Sequence, residues 1–359
     1  MCQNKGPLRT MKILYLYSEV MPYNIPVFEK YVQKYNAEVH VVHWDHKKLT
    51  PYKLPKLDNV IYYNRSDYTK HQLKQLANKV KPDIVYISGW MDKDYLAVVK
   101  NIKDQGVPVV TGFDDQWKGD FRQRLGSFVF PFLLKKYFSH SWVAGPSQFE
   151  FAKRLGFKDS EIISNLYSCN TLLFNKAMEY LEIKTKNYPK YFLYVGRFVS
   201  VKGIDLLVDA YKSYQSKYNG NWKLICIGNG DLKYLFENNP GIEVFDFLNQ
   251  AEILAIIKRA GVFILPSRFE PWGVVVHEFV SAGMPLILSE NVGARSTFLI
   301  DNFNGLSFTN NSAENLAKAM STISSKTDSE LIEMSKNSFF LSNKINPEIV
   351  AASFMSILI

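Results

Sequence analysis

Short apolar, β-branched runs recur along the chain, separated by amphipathic stretches. In the first half KILYLY from Lys12, EVHVVH from Glu38, DIVYIS from Asp83, PVVTG from Pro108 and SWVAG from Ser141 read as strands. Near-continuous apolar strands alternating with helical patterns imply βαβ units and a parallel sheet covered on both faces. From Cys169 to Pro189 the pattern dissolves into polar and charged residues. A second series then begins with YFLYVG from Tyr191 and continues through KLICIG, IEVFDF, VFILPS and PLILS. Helical patterns follow most of these, among them IDLLVDAYKSY, AEILAIIKRA and VVVHEFVSAG. The restart predicts an α/β protein of two doubly wound domains in tandem.

A chain of 359 residues is too long for one ordinary core and suits two. The expected division is a tail over residues 1–10, an amino-terminal domain over 11–168, a carboxy-terminal domain over 169–343 and a last helix over 344–359. That helix is apolar enough after Pro347 that it must pack, and it is expected to pack back toward the amino-terminal domain. The first ten residues lack the apolar core of a secretory signal, and no run reaches the roughly 18 apolar residues of a membrane span. Cys2, Cys169 and Cys226 are scattered, with neither metal-ligand spacing nor a disulfide framework, which fits a reducing compartment. These features predict a cytoplasmic protein.

Lys and Arg total 43 against 34 for Asp and Glu, a net charge of +9. The excess favours anionic partners without choosing among nucleotide phosphates, lipid headgroups and nucleic acid. No helix-turn-helix, zinc or RNA-binding signature accompanies it, so a nucleic-acid partner is not expected.

Candidate chemistry concentrates in LPSRFEPWGVVVHEFVSAGMPLILS from Leu265. A buried strand runs out at Pro266 and Ser267, a loop carries Glu270, and a helix starts near Gly273. Ligands of open α/β sheets sit at the carboxyl ends of strands, which makes Glu270 a position for function. The free amides of Trp272, Gly273 and Val274 at the helix start suit the oxygens of an anion or a sugar. Glu278 follows among Val274, Val275, Val276, Phe279 and Val280, on a helix that reads as buried nearly all round. A carboxylate there needs a hydrogen-bond partner. Taken singly, Glu278 reads as a partner of Arg295 and Glu270 as a solvated loop acid. Together they suit a sugar nucleotide, because carboxylates accept well from hydroxyls.

The run from Glu270, Pro271, Trp272 and Gly273 through His277 and Glu278, followed by AGMP, resembles the two-glutamate signature of glycosyltransferase family 4, the retaining group 1 glycosyl transferases of GT-B fold. YVGRFVSVKGIDLLVDAY is similar to the family's strand and helix bearing an Arg and a Lys. ICIGNG, VFDFLNQAEI and NVGARSTFLIDNFNGLSF fall where family elements would. The resemblance implies two Rossmann-like domains facing a central cleft, with the donor bound mainly by the second and the acceptor by the first. It implies that Glu270 contacts the donor sugar and stabilises charge at the reacting carbon, and that Glu278 holds the ribose hydroxyls. Pro271, Trp272, Gly273, Val274, Gly196 and Gly228 would line the donor. Arg197 and Lys202 would neutralise the diphosphate in place of a metal, although alone they read equally as two surface cations of a basic protein.

The first half departs from the family. Ser18 to Asn24 stand where members often have a glycine-rich turn, and PVVTGFDDQW puts Asp114 and Asp115 where many place a His. Either Asp is a candidate to orient the sugar or the acceptor hydroxyl, and either reads as a polar loop acid. In GDFRQRLGSFVFPFLLKKYF, Arg122, Arg124, Lys135 and Lys136 flank an apolar run interrupted by Pro131. This is either a membrane-surface contact or a core helix with a solvated edge, and the core helix is the expectation.

The expected activity is therefore transfer of a hexose or related sugar from a nucleotide-diphosphate sugar to a glycan or lipid-linked acceptor, with no cofactor or metal. The setting would be bacterial surface polysaccharide, lipopolysaccharide or glycoconjugate synthesis, with a possible membrane-surface contact. The rivals are a sugar-nucleotide epimerase, a phosphorylase and a non-catalytic sugar-nucleotide-binding protein. The first lacks its catalytic acids and His residues and the second its cofactor lysine, while intact Glu270, Glu278, Arg197 and Lys202 argue against the third.

Overall fold

Strands that are apolar on both faces must be covered on both faces, and here they form two all-parallel sheets flanked by helices. The computed structural model describes residues 9–45, 52–309 and 312–358. Cys2 and the first eight residues of the expected tail lie outside them, as does Ile359 of the expected last helix. The chain divides into two units, Met1–Ser168 with Pro347–Ile359, and Cys169–Asn346.

In the first unit the strands are β1 (Met11–Tyr17), β2 (Ala37–His43), β3 (Val60–Asn64), β4 (Ile84–Ser88), β5 (Val109–Phe113), β6 (His140–Val143) and β7 (Ile162–Ile163). They lie in the order β3-β2-β1-β4-β5-β6-β7. The edge strands β3 and β7 are absent from the expected set. One is only half buried and the other has two residues, so neither carries a long apolar run.

The helix Pro347–Met355 completes this unit by packing on the helix Ile25–Tyr35. Its buried Phe354 stacks on Trp142 at 5.0 Å and lies 5.7 Å from Tyr31 and 5.9 Å from Tyr15. Asn165 Nδ2 donates to Ser353 Oγ at 3.3 Å. Phe354→Leu removes the ring contacts while keeping an apolar side chain. It is expected to cost about 1.5 kcal/mol, read as a lower denaturant midpoint at unchanged slope.

One expectation fails in this unit. The helix Phe121–Leu133 is not a core helix with a solvated edge, because Phe130 is its single buried residue. Among the described residues no helix is long and apolar enough to cross a membrane.

The second unit holds β8 (Tyr191–Val195), β9 (Lys223–Ile227), β10 (Ile242–Phe245), β11 (Val262–Leu265), β12 (Leu286–Ser289) and β13 (Gly305–Phe308), in the order β10-β9-β8-β11-β12-β13. The strand order reverses at β8, which has β9 on one side and β11 on the other. Ligands of open α/β sheets favour such a switch point, beyond the carboxyl ends of the strands. The polar stretch before β8 is helical rather than irregular, with helices Thr171–Phe174 and Leu181–Lys186. Within it Lys184 is buried, and its Nζ donates to the Ala260 carbonyl at 2.9 Å.

Candidate functional site at the switch point of the second sheet

The chain leaves β8 through Gly196 and Arg197 and enters the helix Ile204–Lys217 by way of Lys202 and Gly203. Three backbone bonds tie this loop to the end of β9 and the turn after it: Gly196 N–H to the Ile227 carbonyl at 3.0 Å, Phe198 N–H to the Asn229 carbonyl at 2.8 Å and Leu232 N–H to the Phe198 carbonyl at 2.9 Å. Gly228, at φ 148°, faces the Gly196 carbonyl, into which any side chain would collide. On the other flank Arg268 N–H reaches the Val201 carbonyl at 2.9 Å. The Arg268 guanidinium grips Asp205 through two bonds of 2.7 Å and also donates to the Ser200 carbonyl at 2.7 Å. A bidentate Arg–carboxylate pair has one geometry, so the loops after β8 and β11 are held in register.

That register brings Lys202 to Glu270. Glu270 is 8% exposed, and its Oε2 is ion-paired with Lys202 Nζ and accepts from Ser267 Oγ at 3.2 Å. Its backbone is fixed by bonds to the Asn291 carbonyl at 3.2 Å and from Gly293 N–H at 3.0 Å. A carboxylate so enclosed is costly without a cation, and Lys202 supplies one. It is therefore not a solvated loop acid. Gly273, at φ 92°, caps the helix Val274–Ser281, and a Cβ there would lie 2.9 Å from Glu270 Cγ. Among the described residues the N–H groups of Trp272, Gly273 and Val274 donate to no acceptor. Three open donors and the positive end of the helix thus adjoin the Lys202–Glu270 pair. The Trp272 indole is buried at 6.4 Å from the ring of Phe298, so only its backbone faces this chemistry. Arg197 is exposed and enters no ion pair among the described residues.

Glu278 sits one turn into the helix. Gln250, not Arg295, is its partner, with Nε2 donating to Oε1 at 2.8 Å. Burial pushes the Glu278 carboxyl up to about 7, and the Gln250 bond pulls against that shift. The helix is less enclosed than expected, since Val274, Val275 and Glu278 are partly exposed. Neighbouring His277 points to the opposite task. Its Nδ1 accepts from Cys169 N–H at 3.1 Å and its Nε2 donates to the Ser342 carbonyl at 3.1 Å. Burial holds its pKa down to about 4, so the ring is neutral and fastens the helix to the unit's core.

Asp114 belongs to the first unit and follows β5. It is partly exposed, its carbonyl accepts from Gln148 Nε2 at 2.8 Å, and Asp115 beside it is exposed. Burial raises the hydroxyls of Tyr23, Tyr86 and Tyr167 well above their usual range, and the Asp114 charge adds to that.

The second unit therefore gathers Glu270, Lys202, Pro271 and the amides of Trp272, Gly273 and Val274. Gly196, Arg197 and Gly228 stand at the neighbouring strand ends, and Asp114 is held in the other unit. Among the described residues no three His, Cys, Asp or Glu side chains group in a way that could hold a metal ion. Ser267, Gln250 and the Arg268–Asp205 clamp escaped the sequence reading. Only Ser267, at the end of a predicted strand, carried any signal.

Residues 179–338 match the family model of glycosyl transferases group 1. An uncharacterized glycosyltransferase of Methanocaldococcus jannaschii is 29% identical over 131 residues, which cover 34% of this chain and 33% of that relative. The chain thus spans about a third of that relative's length. Sucrose-phosphate synthase of Thermosynechococcus elongatus superposes with a TM-score of 0.73 at 18% identity, covering 98% of each chain. The Anabaena protein HepE, in complex with UDP, gives 0.70 at 14%, covering 97% of this chain and 98% of its own. At these identities the likeness is one of fold, and two parallel Rossmann-like units make that fold GT-B. The similarity to the glycosyl transferases group 1 family thus runs through residues 179–338, nearly the whole of the second unit.

Proposed function

We propose that the protein is a retaining glycosyltransferase that moves a hexose or related sugar from a nucleotide-diphosphate sugar to a hydroxyl, without a metal. One observation carries this reading: the enclosed Lys202–Glu270 pair beside the open amides of Trp272, Gly273 and Val274. As the bond between the anomeric carbon and the diphosphate breaks, negative charge grows on the departing phosphate. Fixed donors and cations aimed at growing charge are the largest catalytic term such a site has. Lys202, Arg197 and the helix amides supply them, while Glu270 accepts from sugar hydroxyls and stabilises positive charge at the anomeric carbon. Glu278 accepts from the ribose hydroxyls. Asp114 orients the acceptor hydroxyl.

The UDP bound to HepE supports a nucleoside diphosphate as the leaving group. The acceptor is a glycan or lipid-linked sugar in surface polysaccharide, lipopolysaccharide or glycoconjugate synthesis, and the protein works in the cytoplasm at the inner face of the cell membrane.

A panel of nucleoside diphosphates and their sugars, screened by thermal shift, tests the donor half. At a hundred times its dissociation constant the right nucleotide adds about 2.7 kcal/mol of stability, a rise of several degrees in melting temperature. A panel in which no nucleotide raises the melting temperature overturns the reading. Turnover is expected to survive excess chelator, and its loss there overturns the metal-free part.

A further inference from the structure

The helix Phe121–Leu133 carries an apolar face that its own unit leaves uncovered. Phe121, Phe128 and Phe132 are 82%, 74% and 72% exposed, and Leu125, Val129 and Leu133 are exposed with them. Their spacing is that of one helix face: at about 100° per residue the six fall within an arc of roughly 140°. Phe130 lies opposite and anchors the helix, its ring 4.9 Å from Trp90 and 6.2 Å from Phe138. Asp120 caps the start, accepting from Gln123 N–H at 2.8 Å, so the helix is formed and held with its apolar face outward.

The charges around this face choose its occupant. Arg122 and Arg124 fall at the two margins of the arc, and Lys136 lies just beyond its carboxyl end. All three are exposed, and none meets a carboxylate among the described residues. Arg124 Nε donates to the Gly119 carbonyl at 2.8 Å, which keeps that cation at the margin. Long cationic side chains flanking exposed aromatic rings fit a surface that is apolar inside and anionic at its rim. Thirteen residues make a helix of about 20 Å, short of the ~30 Å hydrocarbon core, so it can lie along a bilayer and not span it.

We propose that the helix Phe121–Leu133 docks the protein on an anionic lipid surface, with Phe121, Phe128 and Phe132 entering the acyl boundary while Arg122, Arg124 and Lys136 pair with headgroup phosphates. This deepens the proposal that the protein works at the inner membrane face, and it stands apart from the donor chemistry. Vesicle binding is measured without any sugar, so its failure leaves the donor reading intact and the reverse also holds.

Co-sedimentation of the full chain tests it, using vesicles of phosphatidylcholine alone or mixed with phosphatidylglycerol. The expected result is binding to the mixed vesicles, weakened by salt and at least about tenfold weaker on phosphatidylcholine alone. Phe128→Asp with Phe132→Asp removes about tenfold or more of that binding at unchanged melting temperature, since both rings are already in solvent. Arg122→Glu with Arg124→Glu erases the preference for anionic vesicles while the apolar face stays intact. Absence of vesicle binding by the native chain overturns the proposal, as does equal binding by the Phe variant. A native dimer that falls to monomer on Phe128→Asp assigns the face to a second copy and also overturns it.

Discussion

Glu270→Gln is expected to lower turnover about a thousandfold while moving the affinity for the nucleoside diphosphate by less than about threefold. The substitution keeps the shape of the side chain and the acceptance from Ser267 Oγ, and it deletes the charge. In the ground state the lost charge is felt mostly by Lys202, which is freed to turn wholly to the diphosphate. The nucleotide therefore binds as well as before. On the proposed role of Glu270, the anomeric carbon becomes positive in the transition state and the variant lacks the fixed negative charge that would stabilise it. An interaction made only there appears in kcat and not in the dissociation constant of the leaving group. Lys202→Met is the companion measurement. It should weaken nucleotide binding and turnover together, because it removes the proposed phosphate partner and takes the Lys202 cation away from the buried Glu270 carboxylate. Initial rates at saturating donor, with calorimetric titration of the nucleotide, separate the two. Parallel losses of kcat and nucleotide affinity in Glu270→Gln would place Glu270 at the phosphates and not at the sugar.

The pairing behind this prediction lies at the limit of what the chain discloses by itself. Central strands were legible because burial on both faces forces a continuous apolar run, as in VFIL and LILS. β3, β7 and β13 sit at or near sheet edges where the constraint relaxes, and VIYYN, II and GLSF carried no such run. The residues at the strand ends were legible for a related reason: a polar group at the end of a buried strand has few structural tasks. What joins them was not. Lys202 and Glu270 are 68 residues apart, and they meet because Arg268 clamps Asp205 across the gap between two loops. No local pattern records such a contact. The expectation of a core helix with a solvated edge at Phe121–Leu133 failed for the converse reason. An apolar stripe at helical period has the same sequence whether its cover is the protein's own sheet or an outside surface.

Glu278 gives the second large effect, in which stability and binding move in opposite directions. Its carboxyl is held at about 7 in the folded protein against 4.5 in the open chain. Between those values the folded state keeps a proton that the unfolded state has released, so stability falls as pH rises from about 4.5 to 7 and levels off above. At ~1.4 kcal/mol per unit the cost reaches at most about 3 kcal/mol at pH 8. Glu278→Gln cannot ionise and still accepts from Gln250, so it should flatten this slope and unfold at a higher denaturant concentration than the native chain at pH 8. Ligand binding should go the other way. A carboxylate accepting from two ribose hydroxyls makes charge-assisted bonds that a neutral amide replaces poorly, and the loss is expected to be roughly 10- to 100-fold in nucleotide affinity at pH 8. Native affinity should also climb as pH rises through 7, a rise the variant lacks. Denaturation curves and nucleotide titrations at pH 5, 7 and 8 read both quantities on the same two proteins. A variant that loses stability at pH 8 and keeps its nucleotide affinity would make Glu278 only the hydrogen-bond partner of Gln250. A more stable variant that binds nucleotide weakly would identify a carboxylate kept, against the interest of the fold, for the ligand.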